Sequence, residues 1–349
     1  MAIQSGQEVA NNPSEDVDSR TRYQRLLQRI DGLDEIRGDV VKAERALAGI
    51  LAQSQRPPDQ IAVRSTFIRR RVPASGEISD SRPPREGKPP AIDLISPNGI
   101  GQQLMLVAIF VAQTIGVTQA QQVTLPLPLD GLKAADDQWI DLVVANSRHS
   151  KETIRATILR ENRLRQFKNT LKGLWEKQLI DLPNIASRRH RYEGFRLMDE
   201  GGRRPNGLPL HYTKPGVTEP QIQIPLDFFM QGWIYCLTKS EIALWLMIRD
   251  LSSTGDDDGW VYITGHDRLR LYGVTHEAYK GWPVLKNAGL IEVQVDPRRR
   301  EDGTLDGGYD GDDPVMCHRF RLTDEGLSRP AEHAVANALL ERDTEIRPT

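Results

Sequence analysis

Two stretches of this sequence are built to one pattern. The first opens L-W-E-K-Q-L-I-D-L (Leu174 to Leu182) and closes F-R-L-M-D-E-G (Phe195 to Gly201). The second opens L-K-N-A-G-L-I-E-V (Leu285 to Val293) and closes F-R-L-T-D-E-G (Phe320 to Gly326). In each, a helical run ends in a Leu-Ile pair, an alternating strand follows, an Arg-rich polar loop intervenes and a second alternating strand returns. A helix feeding a hairpin, twice, commits the chain to duplicated modules rather than to one unbroken sheet or bundle.

A chain of 349 residues holds two or three ordinary domains, so a duplicated module with extra segments fits. The longest apolar run, Leu104 to Ala112, is far short of a bilayer span, and no membrane partner is expected. The start, M-A-I-Q-S-G-Q-E, lacks the basic-then-apolar pattern of a secretory signal, so a cytoplasmic location is expected. Cys236 and Cys317 form no C-x-x-C and read as free thiols rather than a metal site.

The net charge of −2 conceals an asymmetry. Between Arg148 and Arg196 there are thirteen Lys/Arg against five Asp/Glu, whereas between Lys239 and Glu325 there are eleven against seventeen. Neutralising phosphate supplies most non-specific affinity for nucleic acid, so the first copy is the better electrostatic anchor.

Residues 1–18 are polar and read as disordered. Tyr23, Leu26, Ile30, Leu33, Ile36, Val40, Ala43, Leu47 and Ile50 then recur in steps of three and four, which predicts an amphipathic helix over 19–55. Its near-heptad stripe admits two readings, a coiled coil that makes a homodimer and a helix packed on its own chain. Residues 56–95, with three Pro-Pro pairs and Arg69-Arg70-Arg71, read as an extended linker, its Arg cluster available as a flexible arm.

The first module is placed at 96–204. It has an apolar helix over Gln102 to Ile115, an edge strand V-T-L-P-L-P-L, a helix over Lys151 to Arg160 capped by Ser150, a break near Glu161-Asn162-Arg163, and a further helix over Leu164 to Lys177. Without the break, one long helix runs from Lys151 to Gln178; laying the second copy over the first favours two. A connector, 205–222, leads to the second module at 223–328. There Ser240 to Leu251 is the first helix, His266 to Tyr272 the second, Gly273-Val274 the turn and Thr275 the N-cap of the third, with Pro283 bending it. The tail, 329–349, is at best a short polar helix.

Both modules resemble winged helix-turn-helix domains, with Y-G-V-T-H-E-A-Y as turn and helix start and G-L-I-E-V as the following strand of the second. The run I-P-L-D-F-F followed by L-T-K-S-E-I-A-L-W-L is similar to bacterial plasmid and phage replication initiators, some of which carry two winged helices in tandem. The resemblance covers roughly Leu104 to Leu327. It implies an α+β, mainly α, fold: an N-terminal amphipathic helix, a Pro/Arg-rich linker and two winged helices. It also implies site-specific binding of double-stranded DNA, as replication initiator or transcription regulator of a plasmid, phage or integrated element.

In a winged helix the third helix enters the major groove and the wing follows phosphate. The candidates in the first module are Arg163, Arg165, Gln166, Lys168, Asn169 and Lys172 on the helix, over a buried stripe of Leu164, Phe167, Leu171, Leu174 and Trp175. Arg188, Arg189, His190 and Arg191 form its wing tip. Arg, Gln and Asn match guanine and adenine edges, and Lys meets phosphate as a point charge. The second module offers Thr275, His276, Tyr279 and Lys280, with Arg298, Arg299 and Arg300 before an acidic loop that repels phosphate. That loop lacks the glutamate a calcium-binding EF-hand needs. No phosphate loop, H-E-x-x-H or G-x-S-x-G is present, so no catalytic residue, metal or cofactor is assigned. The reading from a different class is an adaptor that uses its winged helices to dock proteins, which the acidic second copy fits and the basic first copy does not.

Overall fold

The computed structural model of the protein describes residues 13–76, 78–80, 84, 87–96, 99–116, 138–144, 156–188, 190–202, 207–254, 258–305 and 316–346. It is mainly helical with small antiparallel sheets. The first half runs α1 (Pro13–Ala52), β1 (Gln60–Arg64), α2 (Ser65–Ile68), α3 (Pro90–Asp93), α4 (Gly101–Thr114), a 3-10 turn at Trp139–Asp141, α5 (Ala156–Glu176), β2 (Ile180–Asp181) and β3 (Arg196–Leu197). The second runs β4 (Gln221–Pro225), α6 (Asp227–Met230), α7 (Trp233–Cys236), α8 (Lys239–Ser252), β5 (Val261–Tyr262) and α9 (Gly265–Asp267), which passes into a π turn over Arg268–Tyr272. It continues through α10 (His276–Tyr279), α11 (Trp282–Asn287), β6 (Ile291–Gln294), β7 (Arg319–Leu322) and α12 (Ala331–Ile346). One continuous hydrophobic core joins the two halves.

The repeat is reproduced down to its hydrogen bonds. Leu179 N donates to Leu174 O and Leu290 N to Leu285 O, each at 2.9 Å, the six-to-one closure that ends a helix through a left-handed residue. That residue is Gln178 (φ 60°) in the first copy and Gly289 (φ 75°) in the second. The hairpins share a register, Ile180 opposite Leu197 and Ile291 opposite Leu322, and Met198 N and Thr323 N return to Leu179 O and Leu290 O at 3.0 and 3.1 Å. A side chain with a Cβ is strained in the left-handed region and glycine is not. Gln178→Gly is therefore expected to raise stability by about 0.5–1 kcal/mol. A urea midpoint that falls instead would show that the glutamine side chain supplies more than the strain costs.

The copies differ where the overlay was expected to hold. Gly273 (φ 70°) ends the second module's π turn, and Thr275 caps the next helix with its side chain on Ala278 N. The first copy has no glycine at that point, and α5 passes Glu161-Asn162-Arg163 without a break. Over the described residues the unbroken alternative is realised, from Ala156 to Glu176, and residues 151–155 lie outside them. Pro283 stands at the start of α11, where its missing N–H costs nothing, and separates α11 from α10.

Three further expectations are corrected. Helix α1 starts at Pro13, inside the stretch read as disordered, and residues 1–12 lie outside the described residues. Its stripe (Leu26, Leu33, Ile36, Val40, Ala43, Leu47, Ile50) is buried against α4, α6, α12 and the 3-10 turn of the same chain, which occupies the surface a coiled coil would use. The linker is structural from Gln60: β1 pairs antiparallel with β4, Gln60 opposite Pro225 through Arg64 opposite Gln221, because Q-I-A-V-R and Q-I-Q-I-P both put apolar side chains into the core.

The Arg cluster is likewise engaged rather than free. Arg69 reaches Asp250 at 3.5 Å, Arg71 donates to Asp199 at 3.1 Å, and Arg70, 6% exposed, donates to Leu269 O (2.6 Å) and Arg270 O (3.0 Å) of the π turn. The tail forms the 16-residue helix α12, whose Ala331, Ala334, Val335, Ala338 and Leu339 are buried on one face. Its stripe was hard to see because three of its five positions are alanine.

The edge strand V-T-L-P-L-P-L, the cap Ser150 and most of the acidic loop after Leu305 lie outside the described residues. No helix among the described residues is long and apolar enough to cross a membrane. Cys236 and Cys317 are free, and burial pushes the Cys236 thiol up to about 12, which keeps it unreactive.

Candidate nucleic-acid interface

Helix α5 owes its orientation to aromatic packing. Phe167, Leu171 and Leu174 form its buried ridge, and Trp139, fully buried, sits with its ring centroid 6.5 Å from Phe167 and 5.0 Å from Phe195. The tryptophan thus joins the helix to the returning strand of the hairpin. At about 100° per residue, Arg165, Asn169 and Lys172 fall on the ridge opposite, and all three are exposed. Neither Arg165 nor Asn169 has a hydrogen-bond partner among the described residues, and Lys172 lies 3.7 Å from Glu176.

The other expected helix residues sit lower. Gln166 and Lys168 are half-buried on the flanks. Arg163 is turned inward to an ion pair with Asp39 of α1, and burial lowers its pKa. It mounts the helix on α1 and does not belong to the outer ridge. Trp175, expected in the buried stripe, is 39% exposed. One residue step past Leu174 carries it round the helix, beyond the surface that α4, β2 and the 3-10 turn cover.

The hairpin tip carries Arg188, His190 and Arg191, all exposed, while Arg189 lies outside the described residues. Side chains of the turn itself shape it. His190 Nδ1 is 2.8 Å from Glu193 Oε2, Arg191 Nε donates to Ile185 O at 2.9 Å, and Asn184 Nδ2 donates to Glu193 O at 3.2 Å. Arg188 has no partner among the described residues.

Most of the second module's candidate side chains are engaged within the chain. Tyr279, expected on the surface, is 4% exposed; its ring lies under Arg268 (5.0 Å) and edge-on to Phe320 (5.8 Å), so it is a core residue. The Thr275 side chain is occupied as an N-cap. His276 Nε2 is 2.9 Å from Glu277, which also takes Lys280 Nζ at 2.8 Å, and these contacts lower the Glu277 pKa. Arg298 grips Asp296 through Nε (3.1 Å) and Nη2 (3.0 Å), which holds that carboxyl well below the usual range. Arg299 donates to Met316 O and Gly303 O, and Arg300 is exposed.

Helix α12 packs along α11, and Arg342 holds Glu301 in the hairpin with bonds of 2.8 and 3.1 Å. Trp282 Nε1 donates to Glu301 O at 2.8 Å. The second module's third helix therefore lies beneath the C-terminal helix, an arrangement that the low hydrophobicity of the tail concealed. Comparison of the chain with protein-family models, curated proteins and solved structures finds no match.

Proposed function

We propose that the chain binds double-stranded DNA through its first module, with both modules built as winged helices and α5 entering the major groove. The observation that carries this reading is the outer ridge Arg165–Asn169–Lys172, on the side of α5 opposite its buried ridge, together with the exposed cations of the hairpin tip. Arg165 and Asn169 supply the forked donors and acceptors that suit guanine and adenine edges, and Lys172, Arg188 and Arg191 meet phosphate. The role is that of a site-specific initiator or regulator of a plasmid, phage or integrated element, acting in the cytoplasm on the nucleoid by binding rather than by bond making.

The second reading, an adaptor that docks proteins, is favoured by the second module, where His276, Lys280 and Arg298 pair with acidic neighbours and the third helix packs under α12.

Selection from a random duplex pool, followed by a salt titration on the enriched site, separates the two. The wild-type chain is expected to enrich one motif, and the Arg165→Ala/Asn169→Ala variant to lose it, each readout pair being worth about 1–3 kcal/mol of discrimination. Arg188→Ala/Arg191→Ala is expected to keep the motif while the slope of log K against log salt becomes shallower by about 0.9 per lost phosphate contact. An unchanged slope would remove the tip from the interface. No enrichment by the wild-type chain would leave the adaptor.

A further inference from the structure

Between the third-helix segment and the loop of the second hairpin the chain forms a partly open cavity of about 120 Å³, lined among others by Asp80, Arg268, Tyr279, Arg299, Asp302 and His318. This is several times the roughly 30 Å³ that one water takes in the liquid. Part of the lining is fully engaged. Arg268 donates to Val274 O (2.6 Å) and to Asp80 (3.0 Å), and Asp80 also accepts from the backbone N–H of His276 (2.6 Å).

Three groups are left with bonding capacity. Arg299 gives Nε to Met316 O at 2.6 Å and Nη1 to Gly303 O at 2.5 Å; both acceptors are neutral, so its charge has no carboxylate in contact among the described residues. Asp302 accepts on one oxygen, from the N–H (2.9 Å) and the hydroxyl (2.6 Å) of Thr304, and its other oxygen accepts nothing among the described residues. His318 is 1% exposed, and neither ring nitrogen has a partner among the described residues. Burial, and then the charge of Arg299, lower the His318 pKa, so the ring is neutral near pH 7 and carries one N–H donor and one acceptor. The rings of Tyr279 (6.0 Å, nearly parallel), Trp282 (5.4 Å) and Phe320 (6.4 Å) surround it and offer no ordinary hydrogen-bond acceptor through their faces. A fully buried polar ring is rarely left without a partner, so His318 points to an occupant, to which the half-exposed Arg299 and Asp302 offer further bonds.

We propose that this cavity binds hydrogen phosphate, free or as the end group of a small monoester. Its anionic oxygens accept from Arg299 Nη2 and from the His318 N–H, and its P–O–H donates to Asp302. The carboxylate sets the specificity. An ionised carboxylate can only accept, so it repels an oxyanion that has no proton to give, such as sulfate, and takes one that does. The site lies where α10 meets the β6–β7 hairpin, so an occupant would tie the two together. It is independent of the DNA-binding reading, since none of the outer-ridge or tip residues of the first module lines it.

The test is a titration of the full-length chain with sodium phosphate and with sodium sulfate at matched ionic strength, reading the His318 ring resonances and the Tm. Phosphate is expected to shift both saturably and sulfate neither. Arg299→Gln should abolish the response while the far-UV spectrum is kept. Asp302→Asn, which turns the acceptor into a group that can also donate, should let sulfate bind. Glycerol phosphate in the same assay distinguishes a monoester end from the free ion. Equal responses to phosphate and sulfate in the wild-type chain, a response that survives Arg299→Gln, or no saturable response to either anion would overturn the proposal and leave a water-filled cavity.

Discussion

Arg64→Met is expected to lower the stability of the protein by about 3–5 kcal/mol, the cost of leaving a buried charge without its partner. Arg64 ends β1 and reaches across to the D-E-G turn that closes the first repeat. Its Nη1 donates to Glu200 at 2.9 Å and to Thr213 O at 2.8 Å, its Nε to Glu219 at 2.5 Å, and its backbone N–H to the other Glu200 oxygen at 3.0 Å. Glu200 is fully buried. Burial drives its pKa up, and Arg64 opposes that shift; for Arg64, burial works downward but Glu200 and Glu219 raise its pKa overall.

The sign of the pH dependence follows. A carboxyl whose folded pKa lies above its unfolded value contributes stability that is present below the unfolded pKa and is lost as pH rises through the folded one. Removing Arg64 lifts the folded pKa further, so the variant should be least stable at alkaline pH and recover as pH falls and Glu200 takes up a proton. The double variant Arg64→Met/Glu200→Leu, with no charge left to bury, should regain most of the loss. Urea midpoints of the three proteins at pH 5 and pH 8 decide it. A single variant within about 1 kcal/mol of wild type, or a double variant no better than the single, would mean that the pair does not hold the turn in this way.

Trp139→Ala is the second substitution with a large expected effect, about 3–5 kcal/mol, because a fully buried indole leaves a cavity that the surrounding rings fill only partly. Its position adds a functional consequence. Trp139 packs on Phe167 in α5 and on Phe195 beside β3, so its loss frees α5 from the hairpin, and under the proposed DNA-binding role affinity should fall more than Tm alone explains. Trp175→Ala in the same module provides the control. That ring is 39% exposed, and its removal is expected to change stability by no more than about 0.5 kcal/mol. If the two variants melt together, the packing role given to Trp139 is wrong.

The repeat was the most legible feature of the chain. L-I at the end of a helix, the hairpin, and the F-R-L-x-D-E-G return all reappear with one register and one hydrogen-bonding scheme, because helix closure and hairpin pairing are local and are set by residues a few positions apart. The stripe of α1 was readable for the same reason. The candidate site was readable in part: Arg165, Asn169, Lys172, Arg188, His190 and Arg191 are exposed as the helix and hairpin periods imply. Tyr279 and Arg163 were not, since each looks like a surface residue until a distant partner is in place.

The sequence by itself determined the helix ends and hairpins of the repeat and the apolar stripe of α1, since those follow from backbone geometry and from a period of 3.6 or 2. The tertiary structure decided what covers each face and where each charge is neutralised. Asp39 meets Arg163, Asp250 meets Arg69, Glu200 meets Arg64 and Glu301 meets Arg342, pairs far apart along the chain. An alanine-rich tail of weak amphipathic pattern closes over the second module, and a stripe that could have joined two chains is buried within one. The physical reason is range. Hydrophobic burial and ion pairing act on whatever surfaces the folded chain brings together, and periodicity along the sequence specifies a face without specifying its partner.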